Sequence, residues 1–172
     1  LRIPAGGALR PPPPAPRRAA HPAGAVDHAD TWALALTHET VAAALPDGSY
    51  AWPLLAASPA VDRADPRAAV LALRPGMAFA DGTPVTAAAA VESWRAARAS
   101  AAGRLALSRF DSMRPFEARG PLEVAVRLAV SGTLDEALAA WPLALAAPGA
   151  ARAGTGPFAP RNGDPATLAR NP

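Results

Sequence analysis

His21, His28 and His38 are the only histidines in the chain, and Asp27, Asp30 and Glu39 lie beside them. Imidazole with carboxylate is the donor set of a hydrolytic metal centre. The spacing argues against one here. Neither HxxxH nor HExxH occurs, so no two histidines stand one helical turn apart. The expectation is histidines that are exposed or packed in loops, with no metal and no cofactor. Serine chemistry is equally unsupported. Ser49, Ser58, Ser93, Ser100, Ser108, Ser112 and Ser131 all lack the GxSxG context that strains a nucleophile into the open. Gly154-Thr155-Gly156 has half the glycines of a phosphate loop. It lacks the GK[ST] ending and a following helix, and it reads better as a turn that needs free backbone. The arginines are dispersed, with only Arg17-Arg18 adjacent, and they are not interleaved with aromatic residues. A phosphate-tracking stripe needs clustering, so no nucleic acid is expected. No catalytic residue emerges, and the chain is expected not to be an enzyme.

The elements that would position these residues can be read from turn chemistry and periodicity. Residues 1–26 hold a short apolar run, Leu1 to Ile3, and then five prolines in the six positions Pro11–Pro16. Such a run suits an extended linker and neither a helix nor a central strand. Asp27 to about Ala44 has helical spacing, with Asp30 as N-cap and Trp32, Leu36 and Val41 on one face. Pro46-Asp47-Gly48 is a turn, followed by a short strand through Tyr50 and Trp52. Ala69 to Leu73 is a strand that ends at Arg74-Pro75-Gly76, and Asp81-Gly82 marks the next tight turn. Thr86 caps a helix that alanine carries to about Ala102, with Val91 and Trp94 inward and Arg95 and Arg98 on a polar strip. Leu122 to Val130 alternates as a strand, and Thr133 to Trp141 is a second capped helix with Asp135 and Glu136 in its first turn. Pro142 to Ala153 reads as a loose loop before the turn at Gly154. Short strands mixed with two or three helices predict a mixed α+β, α/β-type fold.

Composition narrows the class without choosing a function. The 172 residues suffice for one domain with a core, and 51% hydrophobic against 18% charged favours a globular chain. Alanine exceeds a quarter of the residues while aromatics are only 5%, so the core must be assembled from small side chains. All 17 basic residues are arginine, and the net charge is only +3. With no cysteine there are no disulfides or thiolate metal sites. No stretch approaches the roughly 18 apolar residues of a membrane-spanning helix.

One segment is far more specific than composition. Leu73 to Ala87 reads LRPGMAFADGTPVTA. It resembles the signature of the family 5 solute-binding proteins, approximately LRPGVKFHDGTPVTA. These are the extracytoplasmic receptors of oligopeptide, dipeptide and nickel ABC transporters. Further blocks follow in the family's order. Glu39 with Gly48 nine residues on has the spacing of "YEGL…DG", and Pro53 to Ser58 resembles "P-x-LAES". Val91, Ser93 and Trp94 stand where the family has "VVFSL", and Leu122 to Leu128 is similar to "tvvirL". Gly154 to Phe158, GTGPF, is close to GTGPY, and Ala169 to Pro172 ends like "RNPDYW". The departures are Ala89 for the capping-box Asp, Ala57 for the Glu of "LAES", Thr40 and Val41 for "GL", and a shorter loop before GTGPF.

The resemblance implies a periplasmic-binding-protein-like class II fold, of which this chain would be the N-terminal part. Residues 1–26 would form the first strand and linker, 27–153 the small α/β subdomain of lobe one, and 154–172 the return into the main lobe. The family continues into a second lobe that closes over the solute, so a chain stopping at Pro172 is expected to be a fragment. The implied activity is capture of a peptide or similar small solute by a monomer. Permease subunits would be its partners, and its location periplasmic or associated with the cell envelope. By analogy with peptide-binding members, Thr37, His38 and Glu39 face the cleft and Glu39 pairs with a ligand amine. A solvated carboxylate at a helix end remains the other reading of Glu39. Arg74, Pro75, Gly76, Phe79, Asp81, Gly82, Thr86, Gly154, Thr155, Gly156, Pro157 and Phe158 are assigned to the fold. Two other functions stay open. One is a solute-sensing domain of a cytoplasmic transcription regulator, and the other is an Ala/Pro-rich interaction module.

Overall fold

A four-stranded antiparallel sheet organises the domain, in the order β3 (Ala60–Val61), β4 (Ala68–Ala72), β6 (Glu123–Arg127), β5 (Phe116–Ala118). It is seen in a computed structural model that describes residues 22–24, 34–132, 134–161 and 164–171. The expected strand at Leu1–Ile3, the Pro11–Pro16 linker, Asp30, Trp32, His21, His28 and Thr133 lie outside the described residues. Period-two patterning makes the sheet amphipathic. Ala69 and Leu71 on β4 stand opposite Val126 and Val124 on β6, and Phe116 on β5 also meets Val126. All five side chains are buried. The expected strands at Ala69–Leu73 and Leu122–Val130 are thus present, and the second is shorter.

Helix α2 (Ala87–Ala97) covers this face. Thr86 caps it as expected: its hydroxyl accepts from the Ala89 amide at 3.2 Å, satisfying one of the helix's orphan donors. Val91 and Trp94 are buried, and the Trp94 ring stacks at a tilt on Phe116, with centroids 4.6 Å apart. Phe110 meets the other side of Phe116 at 4.7 Å. In a core built mainly of Ala, Leu and Val, with Phe79 as a further buried ring, these three stacked rings are a large apolar contact. The indole N–H of Trp94 donates to the Leu143 carbonyl at 2.9 Å, and Ser93 Oγ accepts from the Ala146 amide at 3.0 Å. Those two bonds tie α2 to a chain segment some fifty residues away.

Three expectations are corrected. The single helix to Ala102 is two helices, because α2 stops at Ala97 and α3 (Ala101–Leu107) restarts after it. Ser100 caps α3 through the Gly103 amide at 2.9 Å. A Cβ on Gly103 would lie inside the carbonyl of Ala97, 2.6 Å from its carbon, so the two helices need glycine where they meet. The helix expected to reach Ala44 survives only as α1 (residues 34–37) among the described residues. Beyond it Ala43–Ala44 (β1) pairs with Tyr50–Ala51 (β2) around the expected turn at Asp47-Gly48. Finally, the loop expected over 142–153 is structured. A 3-10 turn at Trp141–Leu143 leads into a hairpin of β7 (Ala146–Ala147) and β8 (Ala150–Gly154). Helix α4 (Leu134–Leu138) precedes it, and β9 (Phe158–Arg161) pairs with β10 (Asp164–Arg170) to end the chain.

Candidate functional site

The blocks LRPGMAFADGTPVTA, Thr37-His38-Glu39 and GTGPF are far apart in sequence and meet in one place. Within the first, Arg74-Pro75-Gly76 turns the chain with Gly76 at φ +78°. Phe79 then starts a tight hairpin whose amide donates to the Thr83 carbonyl at 2.8 Å. Gly82 reaches φ +85°, and Asp81 accepts from the Thr83 amide at 2.9 Å, which is the turn chemistry its DG sequence predicts. Phe79 is buried in the core, and the next amide, Ala80, donates to the Gly154 carbonyl at 2.9 Å. The signature hairpin is therefore docked on the GTGPF turn.

That turn in turn lies against residues 36–38. A Cβ on Gly154 would collide with the Thr37 carbonyl oxygen and stand 2.5 Å from His38 Cγ. One on Gly156 would be 2.6 Å from the Thr37 carbonyl carbon. Only glycine permits the approach, and the Gly156 amide uses it to donate to the Thr37 carbonyl at 2.9 Å. The Leu145 amide donates to the Glu39 carbonyl at 2.9 Å. The helix stops at residue 37, where the carbonyls of Thr37 and Glu39 are claimed by distant segments instead of by the next helical turn. Asn171 holds the turn from outside. Its side-chain amide donates to the Gly156 carbonyl at 3.0 Å and its backbone amide to the Pro157 carbonyl at 2.8 Å.

The three expected cleft residues divide. Thr37 and His38 are 4% and 1% exposed, so their side chains belong to the interior. His38 Nε2 faces the Ala151 carbonyl at 3.1 Å and must carry the proton, since a carbonyl only accepts. Its Nδ1 lies 2.8 Å from the Thr37 hydroxyl, which donates to the Leu34 carbonyl at 3.3 Å. The ring is a strut between two segments. The expectation of a histidine packed on a loop is met at His38, whose buried ring is turned to the Ala151 carbonyl.

Glu39 differs. Its carboxyl is half-buried, and desolvation pushes its pKa above the usual carboxylate range, while the Thr155 hydroxyl and the Arg74 charge pull it partly back. Thr155 Oγ1 lies buried beside that carboxyl and has no hydrogen-bond partner among the described residues. Arg74 is exposed and donates to the Leu55 carbonyl at 3.3 Å, leaving its charge near Glu39 without a direct ion pair. A partly desolvated carboxylate, an under-used hydroxyl and the surrounding backbone suit recognition of a cationic or hydrogen-bonding group. Thr155 and Asn171 belong to the GTGPF and RNP stretches, yet only their position in the turn gives them these roles. Arg74 reaches Glu39 only through the tertiary fold.

No protein-family model matches the chain, and no curated protein matches it. Solved structures do. Listeria monocytogenes OppA bound to peptide superposes with a TM-score of 0.76 at 19% identity, over 88% of this chain and 36% of that one. The pheromone receptor PrgZ, solved for its mode of peptide binding, gives 0.73 at 17% identity over 88% and 36%. Staphylococcus aureus NikA in complex with Ni(L-His)2 gives 0.60 at 16% identity over 73% and 27%. The chain thus has the fold of the N-terminal portion of these binding proteins, as the resemblance implied, and it spans about a third of their length.

Proposed function

We propose that the chain is the N-terminal part of a family 5 solute-binding protein. In this reading it captures a peptide or similar small solute outside the cytoplasmic membrane and passes it to the permease of an ABC transporter. Residues 37–39 and the GTGPF turn form one wall of the cleft, and hinge closure of a second lobe supplies the other. Binding, with no bond made or broken, is the whole of the chemistry. The observation that carries the reading is the Glu39 carboxyl, held partly desolvated at the junction of three signature blocks, with the Thr155 hydroxyl beside it.

The division of labour follows from the geometry. His38, Thr37, Gly154 and Gly156 lock the two loops together and fix where Glu39 stands. Glu39 then meets an ammonium or amide of the solute, and ligand charge offsets the desolvation that raises its pKa. The subdomain of residues 27–153 acts as a rigid mount for that wall, and 154–172 begins the return into the main lobe. Preorganisation of this kind favours affinity because little ordering remains to be done on binding.

Titration calorimetry with short peptides, each offered with a free and with an acetylated N-terminus, tests the reading. The free-amine forms are expected to bind more tightly, and Glu39→Gln is expected to erase that preference. Equal affinity for both forms in the native protein, or a preference that survives Glu39→Gln, would contradict it.

A further inference from the structure

A second concavity lies on the far end of α2, away from the Glu39 junction. It encloses about 710 Å³ and is walled by Arg95 and Arg98 from the helix, Met113, Arg114 and Pro115 from the loop before β5, and Glu117. The size is that of an ordinary ligand pocket. Arg67, Arg109, Arg119 and Arg127 are each within an ion pair, and Arg74 and Arg104 donate to backbone carbonyls. Among the described residues Arg95, Arg98 and Arg114 have no carboxylate partner. Arg63, Arg152 and Arg170 also lack an ion pair among the described residues, but at this concavity three such arginines converge. Glu117, the one acid in the wall, is directed to Arg119 at 4.0 Å. The negative end of the helix dipole accounts for cations at 95 and 98, but not for Arg114 facing them from another element.

The loop that presents Met113 and Arg114 is also fixed in place. Asp111 Oδ1 accepts both amides, at 2.8 Å and 2.9 Å. Those bonds hold its carboxyl below the usual range, so the clasp stays ionised at neutral pH. The result is a methionine 86% exposed on a rigid loop, between exposed guanidinium groups. A large apolar side chain held outward at such a place has the anatomy of an interface anchor, with arginines as its charged rim.

We propose that this groove docks an acidic protein segment bearing an apolar side chain, with Met113 and Pro115 receiving the apolar group and Arg95, Arg98 and Arg114 the carboxylates. Charge complementarity selects an anionic partner. The walls select peptide over nucleic acid, because the aromatic rings that line the groove, Trp94 and Phe116, are buried and leave no face for base stacking.

Fluorescence anisotropy tests this on the full chain, with a short labelled peptide of glutamates flanking a central leucine. The controls are its lysine counterpart and a labelled oligothymidylate. The acidic peptide is expected to bind and the lysine peptide not. The double variant Arg95→Glu with Arg98→Glu is expected to lose roughly tenfold or more in affinity, and Met113→Ala about threefold. Arg63→Glu with Arg152→Glu, an equal change of charge at exposed sites outside the groove, is expected to stay within about twofold. Circular dichroism checks that each variant is folded. If the groove double misfolds, Arg114→Gln is read in its place. Three results would overturn the proposal: no binding of the acidic peptide, equal losses in the two double variants, or oligothymidylate binding as tightly with no effect of Met113→Ala.

Discussion

Replacing Gly154 by alanine adds one methyl group where the fold has no room. Its Cβ would enter the Thr37 carbonyl and approach two His38 ring carbons at 2.5 Å and 2.6 Å. The nearest atom belongs to the backbone, so a side-chain rotation cannot relieve the contact, and residues 36–38 must move away from β8. Overpacking of this kind destabilises by about 1–3 kcal/mol. Moving residues 36–38 also strains the His38–Ala151 and Gly156–Thr37 bonds, each worth about 1 kcal/mol. Alanine restricts the unfolded chain, which returns about 0.4–1 kcal/mol. The net loss is about 2–4 kcal/mol, or roughly 4–16 °C in Tm for a domain of this size. Urea unfolding followed by tryptophan fluorescence reads it as a lower midpoint at unchanged slope. Gly120→Ala is the control, because a Cβ there meets nothing within 4 Å. Adding His38→Ala to Gly154→Ala is expected not to rescue stability, since the Thr37 carbonyl remains in the way. If Gly154→Ala and Gly120→Ala unfold at the same urea concentration, the close approach of the two loops is wrong.

Trp94→Phe deprives the buried Leu143 carbonyl of its donor and leaves a void beside Phe116, so about 2–4 kcal/mol should be lost in the same assay. Thr86→Ala and Ser100→Ala each remove a helix cap and should each cost about 1 kcal/mol. A Ser100→Ala variant as stable as the native chain would count against the break between α2 and α3. Glu39→Gln should act in a pH-dependent way. The native carboxyl has a raised pKa, so the folded state holds its proton more tightly, and stability falls as pH rises from the ordinary value near 4.5 through the folded value. Thermal melts should therefore show no gain for the variant below pH 4.5 and a gain that grows above it and levels off once pH passes the folded value. A gain at low pH alone would reverse the assigned direction.

The parts of the fold that are local were legible. The DG turn, the Thr86 cap and the alternation of β4 and β6 each rest on neighbours within a few residues, and turn chemistry and periodicity report such neighbours well. The junction was legible only as a set of motifs. Nothing near Thr37 says that its carbonyl will be taken by Gly156, or the carbonyl of Glu39 by Leu145. Helical spacing therefore carried the expected helix too far. The burial of His38 has the same origin, because it depends on two glycines more than a hundred residues away. Alanine explains the other misreadings. Its uniformly high helix propensity hid the break at Ser100, and with no branched or aromatic side chain the β7–β8 hairpin gave no strand signal.

Hydrogen exchange with and without a pool of short peptides is the most direct test of the central claim. It should be run on the full-length product of the gene that carries these residues. Peptide addition is expected to slow exchange in residues 37–40 and 154–157, with β4 and β6 unchanged, and Glu39→Gln is expected to lose that response. Exchange that is unaltered in both loops while peptide is demonstrably bound, or protection only around Arg98 and Arg114, would contradict it.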